Sequence, residues 1–143
     1  MAKFPPNPER RPAVVTGASS GIGRAVATAL AALGHPVALG ARRVDECEAA
    51  AVAIRAAGGE AVAIHLDLAD GDSVEQFATE AVDAIGGVEI IISNAAQNMA
   101  GAVLDTDPVQ LECVLGVNVV GTHRLVRSLV PAMSVGSGEM SSS

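Results

Sequence analysis

The residues Thr16-Gly17-Ala18-Ser19-Ser20-Gly21-Ile22-Gly23 have the types and spacing to hold a charged ligand on the main chain. An apolar run, Ala13-Val14-Val15, leads in, and a helical pattern leads out from Ile22. A strand, a tight glycine turn and a helix N-terminus are therefore predicted in succession. Such a turn offers backbone N–H groups to a pyrophosphate, and the glycines let the phosphate approach where a Cβ would block it. Arg42 and Arg43 follow a second predicted strand, with Arg42 nineteen residues beyond Gly23. In a dinucleotide-binding unit this is where the adenosine ribose arrives. A carboxylate there would bind the 2′-hydroxyl, whereas an arginine pairs with a 2′-phosphate. The first carboxylate is Asp45, so NADP is favoured over NAD; the alternative is a pair of solvated charges at a helix start. Asn118, inside Val117-Asn118-Val119-Val120-Gly121, is a polar residue among valines and needs a partner.

The elements that must position these groups come from a chain of 143 residues, half of them hydrophobic, with two Phe and no Trp or Tyr. A core of Ala, Val, Leu and Ile suits small-faced helices lying on a parallel sheet. The formal net charge of −7 argues against nucleic acid as a partner, since that would need a basic surface. Cys47 and Cys113 have no metal-ligand spacing and read as reduced, buried and structural; no metal site is expected. His35, His65 and His123 lie in different elements and read as turn, strand-end and helix-surface residues. No signal core and no membrane-length apolar run is present, so a soluble cytoplasmic protein is expected, with no membrane partner.

Residues 1–12 hold four prolines and are expected to form a flexible arm. Strand 1 is predicted over Ala13 to Thr16. The next helix carries apolar residues at 22, 25, 26, 29, 30 and 33, read as its core face, and Gly34 ends it. Strand 2 is Val37 to Ala41, followed by a helix with Val44, Cys47, Ala51 and Ile54 inward. Strand 3 is Ala61 to Leu66, and the third helix turns Val74, Phe77, Ala78, Ala81 and Ile85 to one side. Val88 to Ser93 is strand 4; Ile90-Ile91-Ile92 reads as buried on both faces. Strict βα alternation with short glycine-marked connections gives right-handed crossovers and a parallel sheet. A loop over residues 94–107 then precedes one long helix from about Pro108 to about Met133, apolar on several sides and suited to packing on the sheet and on another subunit. Residues 134–143 read as a disordered Ser/Gly-rich tail, which leaves 13–133 as the folded domain.

The T-G-x-x-x-G-x-G spelling of Thr16 to Gly23 resembles the cofactor loop of the short-chain dehydrogenase/reductase family. The resemblance makes Gly17, Gly21 and Gly23 the family's glycines, with Ser19, Ser20 and Ile22 lining the pyrophosphate and ribose side. It implies that Asp67-Leu68, at the end of strand 3, meets the adenine, where a turn or N-cap aspartate is the alternative. Ser93-Asn94-Ala95-Ala96 is similar to the family's N-N-A-G segment, matching at Asn94 and Ala95 and departing at Ser93 and Ala96. Asn118 matches the helical asparagine of the family's proton relay; an interhelical hydrogen bond is the alternative. The implied fold is α/β, a doubly wound parallel Rossmann-type sheet with strand order 3-2-1-4, incomplete beyond strand 4 and followed by the long helix.

The family's chemistry is carried by a serine after strand 5 and a Tyr-x-x-x-Lys pair, which protonate the substrate oxygen and hold the nicotinamide ribose. This chain contains no tyrosine, and its only lysine is Lys3. The expectation is a truncated NADP-dependent carbonyl/alcohol oxidoreductase with an unknown small substrate, inactive by itself. A catalytically dead NADP-binding module, a partner subunit or a non-functional remnant are the alternatives. A strand 4 left at the sheet edge also invites self-association.

Overall fold

The computed structural model describes residues 11–19, 21–94, 108, 109, 112 and 116–133. The proposed arm before residue 11, the tail from 134, Cys113, residues 95–107 of the loop and most of the start of the long helix lie outside them. The element order is β1 (Ala13–Thr16), α1 (Gly21–Ala32), β2 (Val37–Ala41), α2 (Val44–Ala56), β3 (Ala61–His65), α3 (Gly71–Ile85) and β4 (Ile90–Ile92). A π-helical turn (Gly116–Gly121), α4 (Thr122–Leu129) and a 3₁₀ turn (Val130–Ala132) follow.

All strand pairs are parallel and the sheet order is β3-β2-β1-β4. Because side chains alternate across a strand, Val14 faces one layer and Val15 the other. Val14, Ala38 and Ile64 pack under α3 and α4 with Leu66, Leu68, Phe77, Leu125 and Leu129. Val15, Val37, Leu39 and Ala61 pack under α1 and α2 with Ala27, Ala31, Cys47, Ala51 and Ile54. This is the doubly wound α/β arrangement that the alternation implied. The strand starts are tied together too: the Pro12 carbonyl accepts from Glu89 and Ile90 N–H at 2.8 and 3.1 Å. His35 sits in the turn before β2, buried, and its Nδ1 accepts from the Arg11 N–H at 3.1 Å. His65 and His123 are exposed.

The α3 face is the one the spacing predicts: Val74, Phe77, Ala78, Ala81 and Ile85 are all buried. Asp70 caps this helix, its side chain accepting from Asp72 N–H at 3.0 Å. The α1 face is different from the expected one. Gly23, Ala27 and Ala31 are buried and Val26 and Leu30 half-buried, while Ile22, Ala25, Ala29 and Leu33 are exposed. This helix is apolar nearly all round, so periodicity cannot choose a face; close approach to the sheet selects the smallest side chains. Ile90, Ile91 and Ile92 are half-buried rather than covered on both sides, since β4 has only β1 as a paired neighbour among the described residues.

The helical segment after residue 115 also departs from a regular helix. Residues 116–121 form a π turn before α4 begins. The turn ends at Gly121, where a Cβ would stand 2.3 Å from the Leu68 carbonyl oxygen and 2.8 Å from the Leu68 Cβ. Backbone there packs directly on backbone, and the widened turn is where that contact is made. Gly121→Ala is expected to cost about 1–3 kcal/mol through overpacking, read as a lower urea midpoint with an unchanged slope.

Cys47 lies wholly inside the α1/α2 layer, and burial, with Glu46 adding repulsion, pushes its thiol from 9.0 up to about 11. The fold therefore favours the protonated thiol. Its contribution to stability is intact below about pH 9 and is lost as the pH rises towards about 11. Urea melts across that window should show a decline that Cys47→Ala reduces; an identical decline in both proteins would refute the assignment.

Candidate functional site

In a parallel sheet every strand points its C-terminal end to the same edge, so Gly17, Arg42, Asp67 and Asn94, each just beyond a strand, are brought to that edge by topology alone. The order β3-β2-β1-β4 reverses direction between β1 and β4, and the crevice at such a reversal is where α/β sheets take ligands. The glycine turn spans that crevice.

Long-range contacts fix the turn's shape. Gly17 N–H donates to the Gly40 carbonyl at 2.8 Å, and Ala18 N–H makes a longer contact with the same oxygen at 3.4 Å. From the other side, Asn94 Nδ2 donates to the Gly17 carbonyl at 3.3 Å and Asn94 N–H donates to Thr16 Oγ1 at 3.0 Å. Gly17 and Gly21 have φ of 64° and 61°, the left-handed region that a side chain disfavours. At Gly23 the constraint is space: a Cβ would lie 2.3 Å from the Gly17 carbonyl oxygen and 2.7 Å from Asn94 Nδ2. Asn94, Gly17 and Gly23 thus form one packed unit, and the start of α1 is drawn against the end of β1.

The α1 N-terminus carries no acidic residue in its first turn, so nothing in that turn competes with an anion for its N–H groups and dipole. Ser19 is half-buried in the turn, and Gly21 and Ile22 are exposed at its mouth. Arg42 and Arg43 are both exposed at the end of β2. They are not equivalent. Arg43 stands before α2 with its guanidinium 3.6 Å from Glu46 Oε1, while Arg42 makes no ion pair with any described residue.

At the end of β3, Asp67 is held on both sides: its N–H donates to Ser73 Oγ at 2.9 Å, and its Oδ1 accepts from Ala69 N–H at 3.0 Å. The half-buried carboxylate therefore shapes the turn towards α3, while the N-cap itself is Asp70. Leu68 is buried in the α3/α4 layer and carries the backbone on which Gly121 rests. Asn118 is half-buried on the π turn that ends at this contact. Ser20 and Ala95 lie outside the described residues. Among the described residues no group of three His, Cys, Asp or Glu gathers as a metal site, and no helix is long and apolar enough to cross a membrane.

Two contributors escaped the sequence reading as site residues. Thr16 is fully buried and its hydroxyl anchors the backbone after β4. Gly40 supplies the carbonyl that closes the glycine turn. A hydroxyl ending a valine run, and a glycine inside a strand, were the available signals.

The chain matches the family model for short chain dehydrogenase over residues 11–140. It is similar to the uncharacterized oxidoreductase YxbG of Bacillus subtilis, 36% identical over 133 residues, which is 92% of this chain and 49% of that protein. Its fold is similar to an alcohol dehydrogenase from the archaeon Thermococcus sibiricus solved with 5-hydroxy-NADP, with TM-score 0.82 and 34% identity over 87% of this chain and 53% of that one. It is also similar to a short chain dehydrogenase/reductase from Burkholderia phymatum solved with NAD, with TM-score 0.84 and 32% identity over 95% of this chain and 47% of that one. The chain spans about half the length of the curated relatives it matches. With its 3-2-1-4 sheet and braced glycine turn, this chain belongs to the short chain dehydrogenase family.

Proposed function

We propose that this chain is the cofactor-binding part of an NADP-dependent carbonyl/alcohol oxidoreductase, seating the dinucleotide across the β1/β4 crevice. The observation that carries the reading is the glycine turn, closed by the Gly40 carbonyl and Asn94, at a helix N-terminus with no acid in its first turn. The pyrophosphate rests on that turn, lined by Gly17, Ser19, Ser20, Gly21, Ile22 and Gly23. The adenine lies by Asp67 and Leu68, and Asn94 with Ala95 backs the cofactor from the end of β4. Similar proteins solved with 5-hydroxy-NADP and with NAD support a nicotinamide dinucleotide as the ligand for this seat.

The preference for NADP rests on Arg42. Arg42, at the end of β2, makes no ion pair with any described residue and can offer its guanidinium to a 2′-phosphate, whereas Arg43 is already neighboured by Glu46. The bound cofactor supplies the hydride. Asn118 belongs to the relay that delivers a proton to the substrate oxygen, but this sequence holds no tyrosine and only Lys3 as a lysine. The 143-residue chain is therefore expected to bind NADP without turning over carbonyl substrates.

A second reading, a subunit that works in an assembly, is favoured by the π turn and α4. Val119 and Val120 are 59% and 45% exposed there, and Val126 reaches the surface on the following turn. Apolar surface of this kind suits a homo-oligomer contact.

Calorimetric titration tests the first reading. NADP should bind more tightly than NAD, and Arg42→Ala should weaken NADP about ten- to a hundredfold, the loss of a charge-assisted contact, while leaving NAD unchanged. Arg43→Ala should weaken NADP less. Equal affinity of the unsubstituted chain for the two cofactors would refute the NADP assignment, and measurable reductase turnover would refute the expected inactivity. For the assembly reading, sedimentation should show a concentration-dependent species larger than one chain that Val119→Glu dissociates; a monomer at all concentrations would reject it.

A further inference from the structure

Gly40 is the fourth residue of the five in β2, and its α-carbon faces the α3 layer. A Cβ there would stand 2.6 Å from Phe77 Cε1, 2.9 Å from Phe77 Cζ and 3.1 Å from Leu66 Cδ2. Phe77 is fully buried on α3 in a close-packed layer, so its ring has nowhere to retreat. The same residue pairs with Thr16 on β1 and with Ile64 on β3, so its place in the sheet is fixed from both sides. Its carbonyl, in turn, accepts the Gly17 N–H at 2.8 Å, the contact that closes the glycine turn. The Phe77 ring, the Gly40 backbone and the first residue of the turn are thus one line of direct contacts running from the α3 core to the ligand seat.

We infer that Gly40 is a positioning residue for the dinucleotide: having no Cβ, it lets β2 lie close beside the Phe77 ring, at the depth where the Gly40 carbonyl holds Gly17 N–H, and so sets the shape of the pyrophosphate turn. A methyl group at position 40 pushes β2 away from α3. The carbonyl moves with the strand and the turn loosens. This inference rests on the reading of that turn as the cofactor seat. Its signature is distinct from that of Arg42: loosening the pyrophosphate turn weakens NADP and NAD alike, because both share that part of the ligand, whereas loss of Arg42 touches NADP alone. A glycine serving the core only would change stability and leave the affinity of the folded molecules intact.

The test is calorimetric titration with NADP and with NAD, well below the melting temperature, on the unsubstituted chain, Gly40→Ala, Phe77→Leu and the double variant Gly40→Ala/Phe77→Leu. Gly40→Ala should weaken both cofactors about tenfold, the effect of one lost hydrogen bond. Phe77→Leu removes the ring atoms that a methyl would meet. The single Phe77→Leu and the double variant should therefore bind within about twofold of the unsubstituted chain, a change too small to represent one lost hydrogen bond. If Gly40→Ala does not fold, the comparison moves to the Phe77→Leu background, where Ala at position 40 should keep the affinity and Val should lose it. Unchanged affinity in folded Gly40→Ala, or no recovery in the double variant, overturns the role of Gly40 alone. Failure of the unsubstituted chain to bind either cofactor overturns the cofactor-seat reading, and this inference with it.

Discussion

The hydrogen bond from Gly17 N–H to the Gly40 carbonyl, answered by Asn94 Nδ2 on the Gly17 carbonyl, is the constraint around which the crevice is built. Both polar groups of one peptide region are spent on neighbouring strands, which pins a turn that would otherwise have many shapes. Gly23 then closes against the same carbonyl with no space for a side chain. A mobile glycine loop would lose conformational entropy each time it wrapped a pyrophosphate; a turn already held by β2 and by the end of β4 has met most of that cost on folding.

The electrostatics serve the same end. The chain is acidic overall, with a formal charge of −7, yet the first turn of α1 carries no carboxylate, and no described residue forms an ion pair with Arg42 at the end of β2. The acidic residues instead go where they do other work. Asp45 and Glu46 sit in the first turn of α2, Asp70 caps α3, and Asp67 ties the turn after β3. Local field, rather than net charge, decides whether an anion is welcome at one edge of a sheet.

Most of the fold was legible in the sequence because βα alternation, glycine-marked helix ends and the single-sided pattern of Val74, Phe77, Ala78, Ala81 and Ile85 are local signals. The α1 face was not, because Ala, Val and Leu occupy nearly every side of that helix and packing distance rather than period chose Ala27 and Ala31. The glycine turn and the arginines at the β2 end could be read directly, since each follows a strand whose end they must occupy. What could not be read was how they are held. Thr16 and Asn94 meet across 78 residues of chain, and Gly40 matters through a ring on α3. The contact of Gly121 with the Leu68 backbone, at the end of the π turn that carries Asn118, was equally hidden, because it joins residues 53 positions apart in the chain.

The contacts from Asn94 back to Thr16 and Gly17 span sequence separations of 78 and 77 residues, so they close some of the longest loops in the described structure. Loop closure on that scale is entropically late: β1, β2 and β3 can pair with their nearer neighbours before β4 arrives at the far side of β1. The ligand seat is therefore a product of the final assembly step, not of any local segment. On the proposed reading, a dinucleotide would recognise only molecules whose sheet is already complete through β4, so its binding would be linked to folding and would add to the stability of the assembled chain as its concentration rises.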